Sequence, residues 1–411
     1  MRIAILTPST DPGGGVAHAL GLAEALCGLG HEAVVHAPDP TGRGFFREAR
    51  CPVLSVAAKT PSAEPGERIR AGIAACLAHF SMPAACDFDV FHAHCEIGGN
   101  ALATLTRRRL IPGFVRTVHR VEAGFDPHLA PLRDRAILDA GRLLCASRIG
   151  VAALAAEYGA SADPVGGGVD GSAYAPEPGP GDAELRRRLG LGAGPVFLVL
   201  GGFAAGKNAL TAITAFAALR ATLPSAQLVL AGAASGDHAG YAARCCAALE
   251  HEGLEVGPGK PVIRIGAVAQ ADMPALYRLA DALVCPALAT GYGLSVLESI
   301  ACGTPAIVSA RPPFTEYLRT SEALFVDPED AGAVAAAMRA SLEPERRRPL
   351  AAAARLVAGR HTWEACARRH LPAYGAILRV PPAVSAATNS AAWNTTRRPA
   401  TAVRGDRPDQ I

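Results

Sequence analysis

The densest run of chemistry-bearing residues lies between Ala282 and Ser309, ALVCPALATGYGLSVLESIACGTPAIVS. An apolar stretch over 282–285 predicts a buried strand. A glycine-marked loop follows, Thr290-Gly291-Tyr292-Gly293, then a short helix opening near Leu294 and carrying Glu298, then a second strand over 306–309. Glycines just ahead of a helix let the backbone come close to a ligand and aim free N–H groups at an anion. About one turn into that helix, Glu298 is placed to accept hydrogen bonds from hydroxyls next to the bound anion. Phosphate beside hydroxyl describes a nucleotide or a sugar nucleotide. The plainer alternative is an exposed helix carboxylate.

Three further groups stand out. Gly13-Gly14-Gly15 sits between a first strand and an amphipathic helix, which is where a phosphate-facing turn belongs, although a flexible turn uses the same residues. It lacks the later glycines of a dinucleotide fingerprint, with Ala17 and His18 in their places. Lys207 ends a glycine-rich approach, Gly201 to Gly206, behind the strand VFLVL. Lys59, Lys207 and Lys260 are the only lysines in a chain with 40 basic residues, so one inside a loop of this kind points to a diphosphate as much as to a solvated surface. A unit charge about 4 Å from a phosphate oxygen contributes about 4 kcal/mol at an effective dielectric of 20, before desolvation is subtracted. His119 closes the strand near 114–118; a core histidine and a group at a reacting centre both fit it. His92-Ala93-His94 puts two imidazoles on one strand face, a spacing that also suits a metal.

These residues need a scaffold that delivers loops to one edge. Short apolar runs alternate with helical patterns throughout, which argues for parallel sheets covered on both faces. Strands are expected at 2–6, 33–37, 53–57, 90–93, 114–118 and 143–146, then at 196–200, 227–231, 262–265, 282–285 and 306–309. A helix is expected from about Val16 to Leu29. Between the two sets, GSAYAPEPGPGD (171–182) is too rich in Pro and Gly for a core element and predicts a linker.

The 411 residues are too many for one ordinary core. Half are apolar and 19% are charged, a globular balance, and a net charge of +3 gives no reason to expect nucleic-acid binding. Eleven scattered cysteines without a C-x-x-C fit reduced thiols in a cytoplasmic protein. The apolar run at Met1–Leu6 is too short for a signal peptide, and no run reaches bilayer length. No transmembrane segment is expected; contact with a membrane surface stays open.

Taken in order, the motifs resemble family-4 retaining glycosyltransferases of GT-B fold, from Met1 to about Leu378. The resemblance is carried by Gly14-Gly15, by Gly30-His31-Glu32-Ala33-Val34, by Phe88-Asp89-Val90-Phe91-His92-Ala93-His94 and by Thr117-Val118-His119. In the second half it is carried by Gly201 to Asn208, Thr290 to Glu298, Ala301-Cys302-Gly303-Thr304-Pro305 and Thr362-Trp363-Glu364. It implies an α/β protein of two doubly wound Rossmann-like domains facing a central cleft. The first, 1–170, takes the acceptor. The linker spans 171–182, and the second domain, 183–362, binds the nucleotide sugar. A helix over 363–380 returns to the first domain; the stretch 381–411 lies outside the resemblance and, being rich in Thr, Ala, Asn, Pro and Arg without periodicity, is expected to be a disordered tail.

The same resemblance implies that Gly14, Gly15, Gly202, Lys207, Thr290, Gly291, Tyr292, Gly293, Leu294 and Glu298 hold the donor. His119 and Lys207 take catalytic roles, and His18 and His94 lie on the acceptor side. The expected reaction moves a hexose-type sugar from a nucleoside diphosphate to a small-molecule, glycan or lipid-linked acceptor with retention, needing neither metal nor cofactor. The chain departs from the family at three points. Gly202 stands where a second cation, an arginine, is usual, and Gly167 stands where an asparagine is common. Thr290 replaces a glutamate that holds donor-sugar hydroxyls. A hydroxyl in place of a charged acceptor forfeits about 1.5–3 kcal/mol, or one to two decades in rate. The rival readings are a nucleotide-sugar-binding protein with weakened catalysis, and a sugar-nucleotide epimerase or a phosphorylase on the same fold.

Overall fold

A computed structural model describes residues 1–59, 64–121, 127–232 and 239–378. The expected tail at 381–411 lies outside them, as do the last two residues of the 363–380 helix. Two wholly parallel sheets account for the strands. The first contains β1 (Arg2–Leu6), β2 (Glu32–Asp39), β3 (Val53–Ala57), β4 (Val90–Ala93), β5 (Val115–Val118), β6 (Arg142–Cys145) and β7 (Ala162–Pro164). They are ordered β3-β2-β1-β4-β5-β6-β7. The second contains β8 (Val196–Leu200), β9 (Gln227–Ala231), β10 (Val262–Ile265), β11 (Ala282–Cys285), β12 (Ala306–Ser309) and β13 (Leu324–Val326), ordered β10-β9-β8-β11-β12-β13.

Most central strands are largely apolar because both faces are covered, β4 and β5 carrying the buried polar residues His92, Arg116 and Thr117. In the first sheet Ile3, Ile5 and Val35 pack with the helix Gly14–Gly28, while Ala4, Leu6 and Phe91 pack with the helices Pro65–Phe80 and Glu96–Arg107. The second sheet is covered in the same way, Leu198 and Val229 facing one layer and Phe197 and Leu228 the other. In each sheet the order reverses beside its first strand, between β1 and β4 and between β8 and β11. Adjacent connections there leave to opposite faces, and a crevice opens at the carboxyl ends of those strands.

The first helix starts at Gly14, two residues earlier than the apolar pattern suggested, with Gly13 extended as its N-cap. Gly14 and Gly15 therefore belong to the first helical turn, whose amides have no intrahelical acceptor. Two short edge strands, β7 and β13, are not evident in the sequence. Each has only three residues, and in β7 two of them are exposed.

The chain crosses between domains twice, and the crossings lie side by side. Val169 N donates to His361 O at 2.8 Å, and Val169 forms a parallel bridge with Thr362. The second crossing delivers the helix Trp363–Leu378 onto the first domain, where Ala367, Tyr374 and Ile377 join the Ile3–Ile5 core. Burying a side chain of that size contributes about 1.5–3 kcal/mol. The buried Tyr374 hydroxyl and His92 Nδ1 share a hydrogen bond of 2.9 Å. A further clasp joins the domains at the cleft rim: the Glu316 carboxylate accepts from the amides of Arg148 and Ile149, both at 2.7 Å, at the start of the helix Arg148–Tyr158.

Trp363 docks where the first helix has no side chain. A Cβ at Gly21 would lie 2.4 Å from Trp363 Cε2, closer than any atom pair tolerates. Gly21→Ala is expected to destabilise the protein by about 1–3 kcal/mol through overpacking, visible as a lower Tm and denaturant midpoint. An unchanged melting curve would show that the returning helix does not depend on this contact.

Candidate active site

The carboxyl ends of β1, β4 and β5 in one domain and of β8 and β11 in the other open onto a shared cavity of about 910 Å³. That volume is of the size that accommodates a small-molecule ligand.

The second-domain wall is built around two glycine loops. Gly201 has φ +106°, and a Cβ there would meet Lys207 Cγ at 2.7 Å, so the lysine stem lies directly across its backbone. Lys207 ends a tight turn, Ala205–Lys207, and the next residue fixes that turn. The buried Asn208 amide donates to Pro286 O at 3.1 Å and to Pro328 O at 2.6 Å, tying the turn to the end of β11. Lys207 Nζ then reaches Thr290 Oγ1 at 3.4 Å. The second loop, Thr290 to Gly293, leads into the helix Leu294–Ala301, and all four residues with Leu294 line the cavity.

Glu298 also lines the cavity, half-buried on that helix. Its Oε2 accepts a 2.7 Å hydrogen bond from the hydroxyl of the fully buried Tyr277. Burial raises the Glu298 carboxyl above its usual range, and hydrogen bonds from Tyr277 and Tyr174 pull it back down. Tyr174 packs edge-on against Tyr277, with ring centroids 5.9 Å apart, and its own oxygen accepts from Gln270 at 2.7 Å. The carboxylate is thus held by hydroxyl donors, with no ion pair to it among the described residues.

The first-domain wall is made of imidazoles. His94 Nδ1 and His119 Nε2 share a 3.1 Å hydrogen bond. The His18 ring stands 5.0 Å from that of His119, and its Nε2 donates to Gly166 O at 2.9 Å. A Cβ at Gly15 would fall 3.5 Å from His119 Nε2, which places the ring against the first turn of the helix Gly14–Gly28. Burial drives all three imidazoles toward the neutral form. His18 falls to about 4, and His94 and His119 fall well below the ordinary histidine range, pushed further by neighbouring positive groups.

Ring nitrogens of His18, His94 and His119 lie within 4.8 Å of one another, so among the described residues these three are the group that could converge on a metal. The pair suggested by strand alternation is not that set. Both nitrogens of His92 are engaged, with Tyr374 at 2.9 Å and Thr117 Oγ1 at 2.8 Å, because its ring lies beneath the returning helix.

The structure thus brings Gly14, Gly15, His18, His94, His119, Lys207, Thr290, Gly291, Tyr292, Gly293, Leu294 and Glu298 to one cavity. Gly202 is a correction: Gly201 lines the cavity and Gly202 does not, its N–H being spent on Ala231 O at 3.0 Å. At Gly167, a Cβ would lie 2.8 Å from both Tyr292 and Leu294, so the glycine makes room for the loop Thr290 to Gly293 and the start of the helix it leads into. Sequence reasoning missed Tyr174, Tyr277, Arg120 and the Arg116–Glu96 pair, all of which line the cavity. Arg116 is buried and bound to Glu96 at 2.9 Å. An arginine inside the apolar strand FVRTV was a readable signal, since a buried charge needs a partner.

Paired Rossmann-like domains with a cleft between facing strand ends define the GT-B architecture. Residues 182–357 match the family described as "Glycosyl transferases group 1", and residues 13–168 match the "Glycosyl transferase 4-like domain". The chain belongs to the family-4 type of glycosyltransferases. It is 33% identical over 111 residues to the O-antigen chain mannosyltransferase B of Escherichia coli, a stretch covering 27% of this chain and only 29% of that enzyme. It is 29% identical over 275 residues to the GDP-mannose-dependent alpha-(1-6)-phosphatidylinositol monomannoside mannosyltransferase of Mycolicibacterium smegmatis, covering 63% of this chain and 68% of that one. Among solved structures, Alr3699/HepE of Anabaena in complex with UDP and glucose superposes with TM-score 0.73 at 18% identity, covering 91% of this chain and 99% of that one.

The buried imidazoles predict how stability depends on pH. His18 sits at about 4 and His36 and His370 at about 3 in the folded protein, against about 6.5 when unfolded. As pH falls, the unfolded chain takes up these protons first, so stability is complete above about 6.5 and is lost toward 4. Tm measured from pH 7.5 to 5 is expected to fall steadily; a flat profile would mean that these rings are hydrated in the folded state.

Proposed function

We propose that this glycosyltransferase moves a hexose-type sugar from a nucleoside diphosphate donor to an acceptor hydroxyl with retention of anomeric configuration, in the cytoplasm and without a metal ion. The single observation that carries this reading is the convergence of Lys207 and Glu298 on one cavity walled by glycine loops. The GDP-mannose dependence in one relative's name and the UDP and glucose bound to the structural neighbour point to the same donor class.

In this reading Glu298 accepts hydrogen bonds from the ribose hydroxyls, oriented by Tyr277. Lys207 lies against the diphosphate and offsets the charge that grows on it as the sugar departs. Amides of the first turn, at Gly14 and Gly15, face the same region from the other domain. The bond from the anomeric carbon to the phosphate oxygen breaks with its electron pair going to the phosphate. The acceptor oxygen attacks the same face, and its proton passes to the departing phosphate. Neutral His119 and His94 supply hydrogen bonds near the anomeric carbon and the acceptor without adding positive charge beside an oxocarbenium-like centre. Apposed domains exclude the water that would otherwise hydrolyse the donor.

Two variants test the assignment. Glu298→Ala is expected to weaken binding of the preferred nucleotide, found by calorimetry with UDP, GDP and ADP, by more than about tenfold, the loss of a hydrogen bond to a charged group. Unchanged affinity would remove the ribose role. Lys207→Ala is expected to lower turnover in a donor-hydrolysis assay more than it lowers affinity for the free nucleoside. Equal losses would make Lys207 a surface lysine, and tight nucleotide binding with no sugar release from any donor would favour a binding protein.

A further inference from the structure

We propose that Arg120, carried by the first domain, is the second cation of the donor diphosphate site, reaching across the cleft to the turn that holds Lys207. The proposal rests on the nucleotide-sugar reading above and adds a residue from the opposite domain to that site.

Arg120 follows β5 and His119, far in sequence from the Ala205–Lys207 turn. Yet a Cβ at Gly206 would lie 3.3 Å from Arg120 Nη1, so the guanidinium rests against the residue preceding Lys207. Both cationic residues line the cavity. The approach is held from the other loop too, since a Cβ at Gly291 would sit 2.8 Å from the carbonyl oxygen of His119. Bare glycine backbone in two second-domain loops is what lets the end of β5 come this close.

Charge argues in the same direction. A nucleoside diphosphate brings at least two negative charges, and among the described residues Lys207 is the one lysine or arginine that the second domain contributes to the cavity lining. Of the first-domain arginines in the lining, Arg120 lies with its guanidinium against the turn that holds Lys207. Arg120 and Lys207 both lie at this turn, so an anion bound there is attracted by two positive charges. A guanidinium also offers a diphosphate a planar pair of donors that an ammonium lacks. This also accounts for Gly202: the second domain needs no arginine of its own when the first supplies one from across the cleft. Because the two cations belong to different domains, the diphosphate becomes a tie between them.

The test is calorimetry of the full chain and its Arg120→Ala, Arg120→Gln and Arg120→Lys variants with UDP, GDP and ADP, and with uridine, guanosine and adenosine. Arg120 is exposed, so the variants are expected to melt as the parent does. For whichever nucleotide the parent binds, Arg120→Ala and Arg120→Gln are expected to weaken the diphosphate by about ten- to a hundredfold. The matching nucleoside is expected to change little, and Arg120→Lys to recover part of the loss. Undiminished diphosphate affinity, or an equal loss for the nucleoside, would overturn the proposal while leaving the donor reading intact if Glu298→Ala still weakens binding. A parent protein that binds none of the three diphosphates would sink both.

Discussion

The constraint on which this structure depends is the reversal of strand order beside the first strand of each sheet. A parallel sheet cannot close its carboxyl edge at that point, since the connections on either side depart to opposite faces. The molecule contains the arrangement twice, between β1 and β4 and between β8 and β11, with the two openings turned toward each other. Everything chemical in the cleft follows from that geometry. His94 and His119 are the first residues beyond β4 and β5, and the glycine turn, the lysine turn and the glycine loop lie on the connections that follow β1, β8 and β11.

The two walls of the cleft manage charge differently. The first-domain wall keeps His18, His94 and His119 neutral by burial and lets them hydrogen-bond to one another and to a carbonyl. The second-domain wall keeps a carboxylate and an ammonium on separate elements, Glu298 on a helix and Lys207 on a turn, each with a hydroxyl partner, Tyr277 for Glu298 and Thr290 for Lys207. Pairing them with each other would cancel the charges that a polar, anionic ligand needs to meet. A pocket with hydroxyl partners is easily re-partnered, because a hydroxyl gives up its hydrogen bond more readily than an ion does.

Much of the fold was legible in the sequence because parallel strands buried on both faces appear as unbroken apolar runs, and the expected strands fall within a residue or two of those observed. The exceptions were β7 and β13, too short for any pattern. Among cleft residues, those on glycine loops could be read locally: Gly201 and Gly291 mark places where another chain segment comes within contact distance. Tyr277 could not, since nothing in the helix Met273–Leu279 reveals that its hydroxyl meets a carboxylate 21 residues further on. Arg120 is hidden for the same reason, its neighbour lying in the other domain. His92 looked equivalent to His94 by strand alternation, and only the docking of Tyr374 separates a core ring from a cleft ring.

The Glu316 clasp has a kinetic consequence. Its two carboxylate oxygens satisfy amides that head the helix Arg148–Tyr158, so the lobes cannot part at that rim without handing a charged group and two donors back to solvent. Rehydration compensates most of that loss at equilibrium, but the bonds must break before water can replace them. Any separation of the lobes along that edge therefore has to begin with the loss of both hydrogen bonds.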